Sequence, residues 1–435
     1  ITFNNATAVH DVGKVINKVG FEGQVYGGLV QGMIGYAMLE EFNIEQGEVK
    51  SENFDTYLLP TIKDVPNIDI VAVENHDKAG PYGAKVIGEP VLELGGAALN
   101  NAVSFALGRR NYTLPLTLEQ VRLGYALKKP VRQSELQAES GGKKQVLRLN
   151  TLQIYRPDTL DDALRALADG QARPIAGGTD VLVQARLSTV PLPLVDISGL
   201  KELQRIALCD EGVTIGAGVC FSDLTADQRL QEHYPLLITA CNTIGSLQLR
   251  NRATLGGNIV NAAPCADSVP PLIIYDAIVV LQSQQAQRRM PLSDFITAGY
   301  RTRLQPGELL TAVILPAPYR DPGLEQRYLQ LGRRNALNIT RQSFTGQFTF
   351  NHAGMLVRCR LVDGALLSKP QRLIAVEKVL TGQALTVAQI EAGASALEAL
   401  LMAAIGNRWS AAYKVPVALD MLRQMLQEAR EAGTK

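Results

Sequence analysis

Two short runs carry the most chemistry: Ala176-Gly177-Gly178-Thr179-Asp180 and Thr254-Leu255-Gly256-Gly257-Asn258. Each sets two glycines beside a threonine at a predicted strand end, where free backbone N–H groups can surround a pyrophosphate and a hydroxyl can add one more donor. A Cβ in such a loop would hold the phosphate away. Gly-Gly also begins at residues 27, 95 and 141, so either run taken singly reads as an ordinary tight turn; the two together carry the weight. Neither fits GxGxxG or a Walker loop, so a Rossmann or P-loop reading lacks its signature.

Other residues offer acid–base or ligand chemistry. Asp267 stands beside a predicted helix start, where a carboxylate can accept from ribose hydroxyls or act as a plain N-cap. Glu89 lies in the turn Gly88-Glu89-Pro90, and on spacing alone it is a surface turn residue. Gln24, likewise, is by itself a helix-surface amide. The cysteines at 209, 220, 241, 265 and 359 show neither CxxC nor iron-sulfur spacing, which predicts buried reduced thiols in an intracellular protein. The histidines at 10, 76, 233 and 352 have no paired spacing and are not expected to bind metal.

The elements that must position these residues follow from periodicity. In GFEGQVYGGLVQGMIGYAMLEEF, Val25, Leu29, Met33 and Ala37 recur at helical spacing, and Gly28, Gly32 and Gly35 fall on nearby faces. Glycine costs about 1 kcal/mol per helix position, so this density needs a packing or ligand reason. A second helix is predicted from about Val91 to Leu107, with Pro90 in its first turn. Thr159 and Asp162 form a capping-box-like start to another. RPIAGGTDVLVQARL reads as a short strand, a glycine turn and then a helix or extended segment, and VTIGAGV as a strand. LRNRATLGGNIVNAAPCADSVPPLIIYDAIVVLQS gives a turn, a loop, a short helix and a strand. FTGQFTF and MLVRCRLVDG are strand-like, followed by helices over Ala388 to Ile405 and Val415 to Ala432, which together suggest an α+β module.

Composition narrows the class. With 435 residues, 46% apolar, 20% charged and a net charge of +1, the chain reads as two to four globular domains with no electrostatic reason to bind nucleic acid or a membrane. No apolar run approaches the roughly 18 residues that span a bilayer. The longest candidate, Ala396 to Ile405, contains Glu398 and reads as a core helix. Residues 1–127 hold 9 Lys/Arg against 15 Asp/Glu, whereas residues 128–148 hold 6 against 2 with almost no apolar content, as a solvated linker does.

From about Leu152 to Glu428, through AGGTD, LRNRATLGGNI, ADSVPPL and RWSAAYKVPVALDML, the chain resembles the FAD subunit of the xanthine dehydrogenase and carbon monoxide dehydrogenase family. The resemblance implies an α+β multidomain protein. A two-lobed FAD-binding domain of the vanillyl-alcohol-oxidase type would span 149–322 and an α+β flavoprotein domain 323–435. FAD would lie between the lobes, its pyrophosphate held at Ala176, Gly177, Gly178, Thr179 and Asp180 and at Thr254, Gly256, Gly257 and Asn258, with Asp267 near the adenosine. One departure is Asn338, where relatives often carry an acid.

Residues 1–127 resemble the final part of the family's molybdenum-binding subunit. GQVYGGLVQG looks like a segment contacting the molybdopterin cofactor, with Gln24 as the contact, and Gly88-Glu89-Pro90 looks like the turn carrying the active-site glutamate. Such a glutamate acts as a base, which requires a carboxylate of raised pKa in a dry site. The family builds that site from several segments of a much longer chain, so the molybdopterin site is incomplete in this stretch.

What the resemblance implies for activity is a cytoplasmic electron relay, with no nucleic-acid or membrane partner. Iron-sulfur clusters on a partner would feed FAD, and FAD would feed a soluble acceptor, NAD foremost. The partners would be an iron-sulfur subunit and the remainder of the molybdenum-binding subunit. Two other readings stay open: a stand-alone flavin oxidoreductase acting directly on a small substrate, and an assembly subunit that keeps the fold without the cofactor. The order is unusual, since relatives with all parts on one chain run iron-sulfur, FAD, molybdenum.

Overall fold

The computed structural model describes residues 1–125, 153–186 and 193–433, apart from 46, 52 and 210. The predicted linker, 128–148, lies outside the described residues. The chain divides into two compact units, Ile1–Lys128 with Arg333–Ile339, and Lys129–Gly332 with Thr340–Lys435.

In the first unit, strands Asn5–Asp11 and Asn67–Val73 pair in parallel, Val9 opposite Val71. The helix Lys18–Leu29, capped by Asn17 accepting from the Gly20 N–H, continues as a π-helix over Val30–Leu39. The sequence spacing predicts a single α-helix here. The wider winding still buries Val25, Met33 and Ala37 on one side. This rod packs against the helix Pro90–Leu107, and the glycines explain how closely. A Cβ on Gly28 would lie 2.0 Å from Val91 Cγ2, one on Gly32 2.2 Å from the Leu92 carbonyl oxygen, and one on Gly95 2.9 Å from the Met33 nitrogen. Gly35 is different, with Pro60 no nearer than 3.8 Å, and takes no part in that approach.

The segment Arg333–Ile339 is a tight loop closed by its own amide. Asn338 Oδ1 accepts from the backbone N–H groups of Arg333 (3.0 Å) and Arg334 (3.1 Å). An amide oxygen does here what a carboxylate oxygen would do, so the departure from the family pattern at Asn338 costs the loop none of these bonds.

The second unit starts with a parallel three-stranded sheet in the order Ile154–Tyr155, Leu194–Asp196, Arg173–Ile175. The helix Leu160–Leu167, N-capped by Thr159 as predicted, buries Ala163, Leu164 and Leu167 with Val195 and Leu203. Next comes an antiparallel five-stranded sheet with Leu309–Pro316 at its centre, between Ile278–Gln282 and Gly212–Gly216. Its apolar side shares a core with Phe221, Leu237, Leu255, Ile259 and Leu272 from the helices around it. These are two lobes, each built on its own sheet.

A third layer follows. Strands Leu324–Leu331, Gln342–Phe350 and Met355–Gly364 form an antiparallel sheet, with Gln371–Arg372 at one edge, over which the helices Val387–Ile405 and Ala411–Gly433 pack. Phe344, Phe348, Leu397, Leu401, Leu422 and Met425 are buried together there. The architecture is α+β, as expected. The helix Val387–Ile405 is long and apolar enough by composition to cross a membrane, but Ile390, Leu397, Leu401 and Ile405 are part of that core.

All five cysteines are unpaired. Only Cys241 and Cys359 are buried, so the expectation of buried thiols fails at the exposed Cys209 and at the half-buried Cys220 and Cys265. Among the described residues, no group of three or more His, Cys, Asp or Glu could hold a metal ion.

Candidate functional site

The first glycine loop leaves the end of strand Arg173–Ile175 and enters the helix Val181–Arg186. Gly178 turns it with a φ of +74°, a conformation glycine adopts freely. The backbone N–H groups of Gly177, Gly178, Thr179 and Asp180 take no acceptor among the described residues, and neither does the Thr179 hydroxyl. Four consecutive free donors with an adjacent hydroxyl can bind an anion. Loss of water around the Asp180 carboxyl pushes it above the usual carboxylate range, and Arg173 opposes the shift.

The second loop differs in kind. It is not a strand end: Thr254 is the N-cap of the helix Leu255–Asn261, and its Oγ1 accepts from the Gly257 N–H at 3.1 Å. The Leu255 N–H bonds the Val219 carbonyl, that of Gly256 the Ala217 carbonyl, and that of Asn258 the Thr254 carbonyl. Every donor from Leu255 to Asn258 is thus spent inside the protein, against the expectation that both loops offer free N–H groups. Gly256 is buried, and a Cβ there would lie 2.5 Å from Ala217 Cβ. Gly257 is exposed, and a Cβ there would meet only its own cap, Thr254 Oγ1, at 2.9 Å. Asn258 accepts from the Ser268 hydroxyl at 2.7 Å.

The two loops touch. A Cβ on Gly177 would sit 1.9 Å from the Arg252 carbonyl oxygen and 3.0 Å from the Ala253 nitrogen, so this glycine is required by the other loop's backbone. Beyond them, Gln184 Nε2 donates to Asn261 Oδ1 at 3.3 Å, tying the two following helices together.

Asp267 lies nearby in sequence to Ser268 and is buried. It caps nothing: the helix Val269–Ile274 has Ser268 at its N-cap, with no side-chain bond. Instead Asp267 Oδ1 accepts from Thr340 Oγ1 (2.6 Å) and from the Tyr328 hydroxyl (3.1 Å). Burial raises its pKa to about 6, although hydrogen bonds from Thr340, Tyr328 and Gln330 pull the other way. Burial and the neighbouring Asp267 together push the Tyr328 phenol well above its usual range.

In the first unit, Gln24 Nε2 donates to the Gly88 carbonyl at 2.8 Å, so the amide pins the turn that carries Glu89. Glu89 is the N-cap residue of the helix Pro90–Leu107, makes no side-chain capping bond and is exposed. The structure thus joins Gln24 to the Glu89 turn. One amide and one exposed carboxylate do not make a molybdopterin site by themselves, nor the dry environment that a glutamate base requires.

Comparison with known proteins places these features. Residues 150–318 match the family described as the FAD binding domain in molybdopterin dehydrogenase, and residues 1–66 match the molybdopterin cofactor-binding domain. The xanthine dehydrogenase FAD-binding subunit of Escherichia coli O157:H7 is 31% identical over 284 residues, covering 64% of this chain and 96% of the relative. The chain belongs to the FAD-binding subunits of the molybdenum hydroxylases.

The carbon monoxide dehydrogenase structure from Oligotropha carboxidovorans superimposes with a TM-score of 0.59 at 26% identity, covering 65% of this chain and 98% of that one. The front of this FAD-binding subunit has a different relative. The putative xanthine dehydrogenase molybdenum-binding subunit of Escherichia coli K12 is 40% identical over 119 residues, 27% of this chain but only 16% of that subunit.

Membership implies FAD, and the loop at Gly177–Asp180 fits it, since its backbone donors have no acceptor among the described residues and can take an anionic partner. Sequence reasoning missed Arg252, whose carbonyl shapes that loop, and Tyr328, Gln330 and Thr340 around Asp267. A signal for two of them exists: Gln326, Tyr328 and Gln330 alternate along a strand, a polar row that a buried sheet face does not carry without partners.

Proposed function

We propose that this FAD-binding subunit relays electrons from iron-sulfur clusters of a partner, through FAD, to a soluble acceptor, NAD foremost. The observation that carries the reading is the run of free N–H groups from Gly177 to Asp180. These donors hold the FAD pyrophosphate, with the Thr179 hydroxyl as a further donor and Ala176 closing the strand end behind them. The exposed face of Gly257 admits the same group, while Thr254, Gly256 and Asn258 hold the second loop rigid beneath it. Asp267 sits toward the adenosine. Bound FAD supplies the chemistry that takes up electrons and hands them on. What the chain supplies is position.

In the first unit, Glu89 and Gln24 are contributions to a molybdenum site completed by the rest of a molybdenum-binding subunit. Glu89 accepts a proton there once the site is enclosed, and Gln24 fixes the turn.

The test uses the purified full chain under anaerobic conditions. The expected result is a flavin spectrum that bleaches on mixing with a reduced iron-sulfur partner and returns on adding NAD⁺. A chain that neither carries nor takes up FAD overturns the reading. Direct bleaching by a small organic substrate with no partner present supports the stand-alone oxidoreductase instead.

A further inference from the structure

The carboxyl of Asp267 is held by a part of the chain it does not belong to. It stands in the loop between the helices Leu255–Asn261 and Val269–Ile274 of the second lobe, yet both of its hydroxyl partners come from the third layer. Tyr328 lies on the strand Leu324–Leu331, and Thr340 just precedes the strand Gln342–Phe350. Their hydroxyl groups, at 3.1 and 2.6 Å, converge on the same oxygen, Oδ1. Neither of these bonds involves Oδ2.

The direction of one of them is fixed. Gln330 Nε2 donates to Thr340 Oγ1 at 2.5 Å, and the single proton of that hydroxyl is left for Asp267. Among the described residues, the titratable groups around the carboxyl are Tyr328 on the sheet, Cys241 on the helix Pro235–Thr243 and Cys265 in its own loop, none of them cationic. Lys414, on the helix Ala411–Gly433, donates instead to the Ala365 carbonyl at 2.8 Å. With no cation beside it, the ionised form of Asp267 depends on donated hydrogen bonds.

The same polar row of the sheet supplies an internal comparison. Gln326, one alternation before Tyr328, accepts from the Tyr275 hydroxyl at 2.9 Å and from Gln347 Nε2 at 3.1 Å. It joins the sheet to the second lobe as Tyr328 does, but at a different side chain.

We infer that Tyr328 and Thr340 are positioning residues for the cofactor: by holding Oδ1 they turn Oδ2 toward bound FAD and keep it an acceptor for the ribose hydroxyls. The third layer thereby sets the affinity of a site whose binding loops belong to the two lobes. The inference rests on the proposed placement of Asp267 toward the adenosine and adds what orients it.

The experiment titrates the full chain, stripped of flavin, with FAD between pH 5 and 8.5 and reads flavin fluorescence. Wild-type affinity should rise with pH as Asp267 ionises, at about 6. Tyr328→Phe and Thr340→Val each keep the bulk of the side chain and remove one donor. Each should weaken FAD binding by roughly fivefold or more at pH 7 and move the midpoint of the profile upward by about one pH unit. Thr340→Ser should restore the wild-type profile, and Asp267→Asn should flatten it. Tyr275→Phe, which cuts the neighbouring bond to Gln326, should leave the midpoint in place, because a merely structural loss lowers affinity evenly at every pH. Either Tyr328→Phe or Thr340→Val suffices should the other not fold. An unmoved midpoint in these variants, or a wild-type affinity independent of pH, overturns the inference while FAD binding itself stands. A wild-type chain that takes up no FAD at any pH overturns the reading beneath it, and the inference with it.

Discussion

The two glycine–threonine loops are near twins as strings and opposites as structures. The loop at Gly177–Asp180 keeps its backbone donors free, and the loop at Leu255–Asn258 spends all of its own on Val219, Ala217 and Thr254. One leaves its donors outside the protein's own hydrogen bonding; the other is fully bonded within it. Glycine is therefore not a single signal. At 177 and 256 it makes room for protein backbone, at 178 it supplies a left-handed turn, and only at 257 does its bare face look outward.

The sharpest attempt to break this contrast is Gly177→Ala. Its Cβ would lie 1.9 Å from the Arg252 carbonyl, a conflict relieved only by parting the loops. Overpacking typically costs about 1–3 kcal/mol and occasionally more. Urea unfolding should show a loss at or above the upper end, together with loss of bound FAD. Gly256→Ala should behave similarly against Ala217, whereas an unchanged midpoint for either variant would refute the packing account.

Acidity offers the next test. Burial raises Asp267 to about 6 and Asp363 to about 7, against an ordinary aspartate near 3.8. The folded state therefore holds protons that the unfolded chain has released, and stability falls as pH rises from about 4 to about 7. At roughly 1.4 kcal/mol per pH unit, Asp267 alone contributes a loss of up to about 3 kcal/mol. In Asp267→Asn the side-chain oxygen still accepts from Thr340 and Tyr328. Urea midpoints of the apo variant between pH 5 and 8 should therefore vary less than those of the wild type.

Smaller effects separate scaffold from ligand site. Thr254→Ala removes the cap on Gly257 and should cost about 1 kcal/mol of stability, restored in Thr254→Ser. Thr179→Ala removes a hydroxyl with no partner among the described residues. Its thermal midpoint without FAD should match wild type, while FAD binding weakens by about 1 kcal/mol, read by flavin fluorescence titration. Gly257→Ala sets a Cβ 2.9 Å from the capping Thr254 Oγ1, so it should lower FAD affinity and disturb the cap by less than the loss in Thr254→Ala. Equal loss of apo stability in Thr179→Ala and Thr254→Ala would erase the distinction between the loops.

Much of this was legible in the sequence, because it is written in local patterns. The helices at 91–107 and 388–405, the Thr159 cap and the strands at 342–350 and 355–364 all follow from periodicity and capping chemistry. The fate of the N–H groups was not, since it depends on which carbonyls arrive from elsewhere in the chain. Thr254 reads the same whether it faces a phosphate or caps a helix. Asp267 reads as a cap until Tyr328 and Thr340 come from another sheet to claim its oxygen. The π-helix at Val30–Leu39 escaped for the same reason, because its apolar spacing serves an α-helix equally well.

The contact between Gly177 and Arg252 has a bearing on how the protein is made. The cradle at Gly177–Asp180 packs at Gly177 against the backbone at Arg252, and the strut from Gln184 to Asn261 joins residues 77 positions apart. Bringing such distant segments together is a slow step in folding. A nascent chain that has emerged only as far as Arg186 thus has the loop's residues but not its mould. Flavin capture would then report that the second lobe has already formed, making cofactor loading a late checkpoint in synthesis rather than a seed for it.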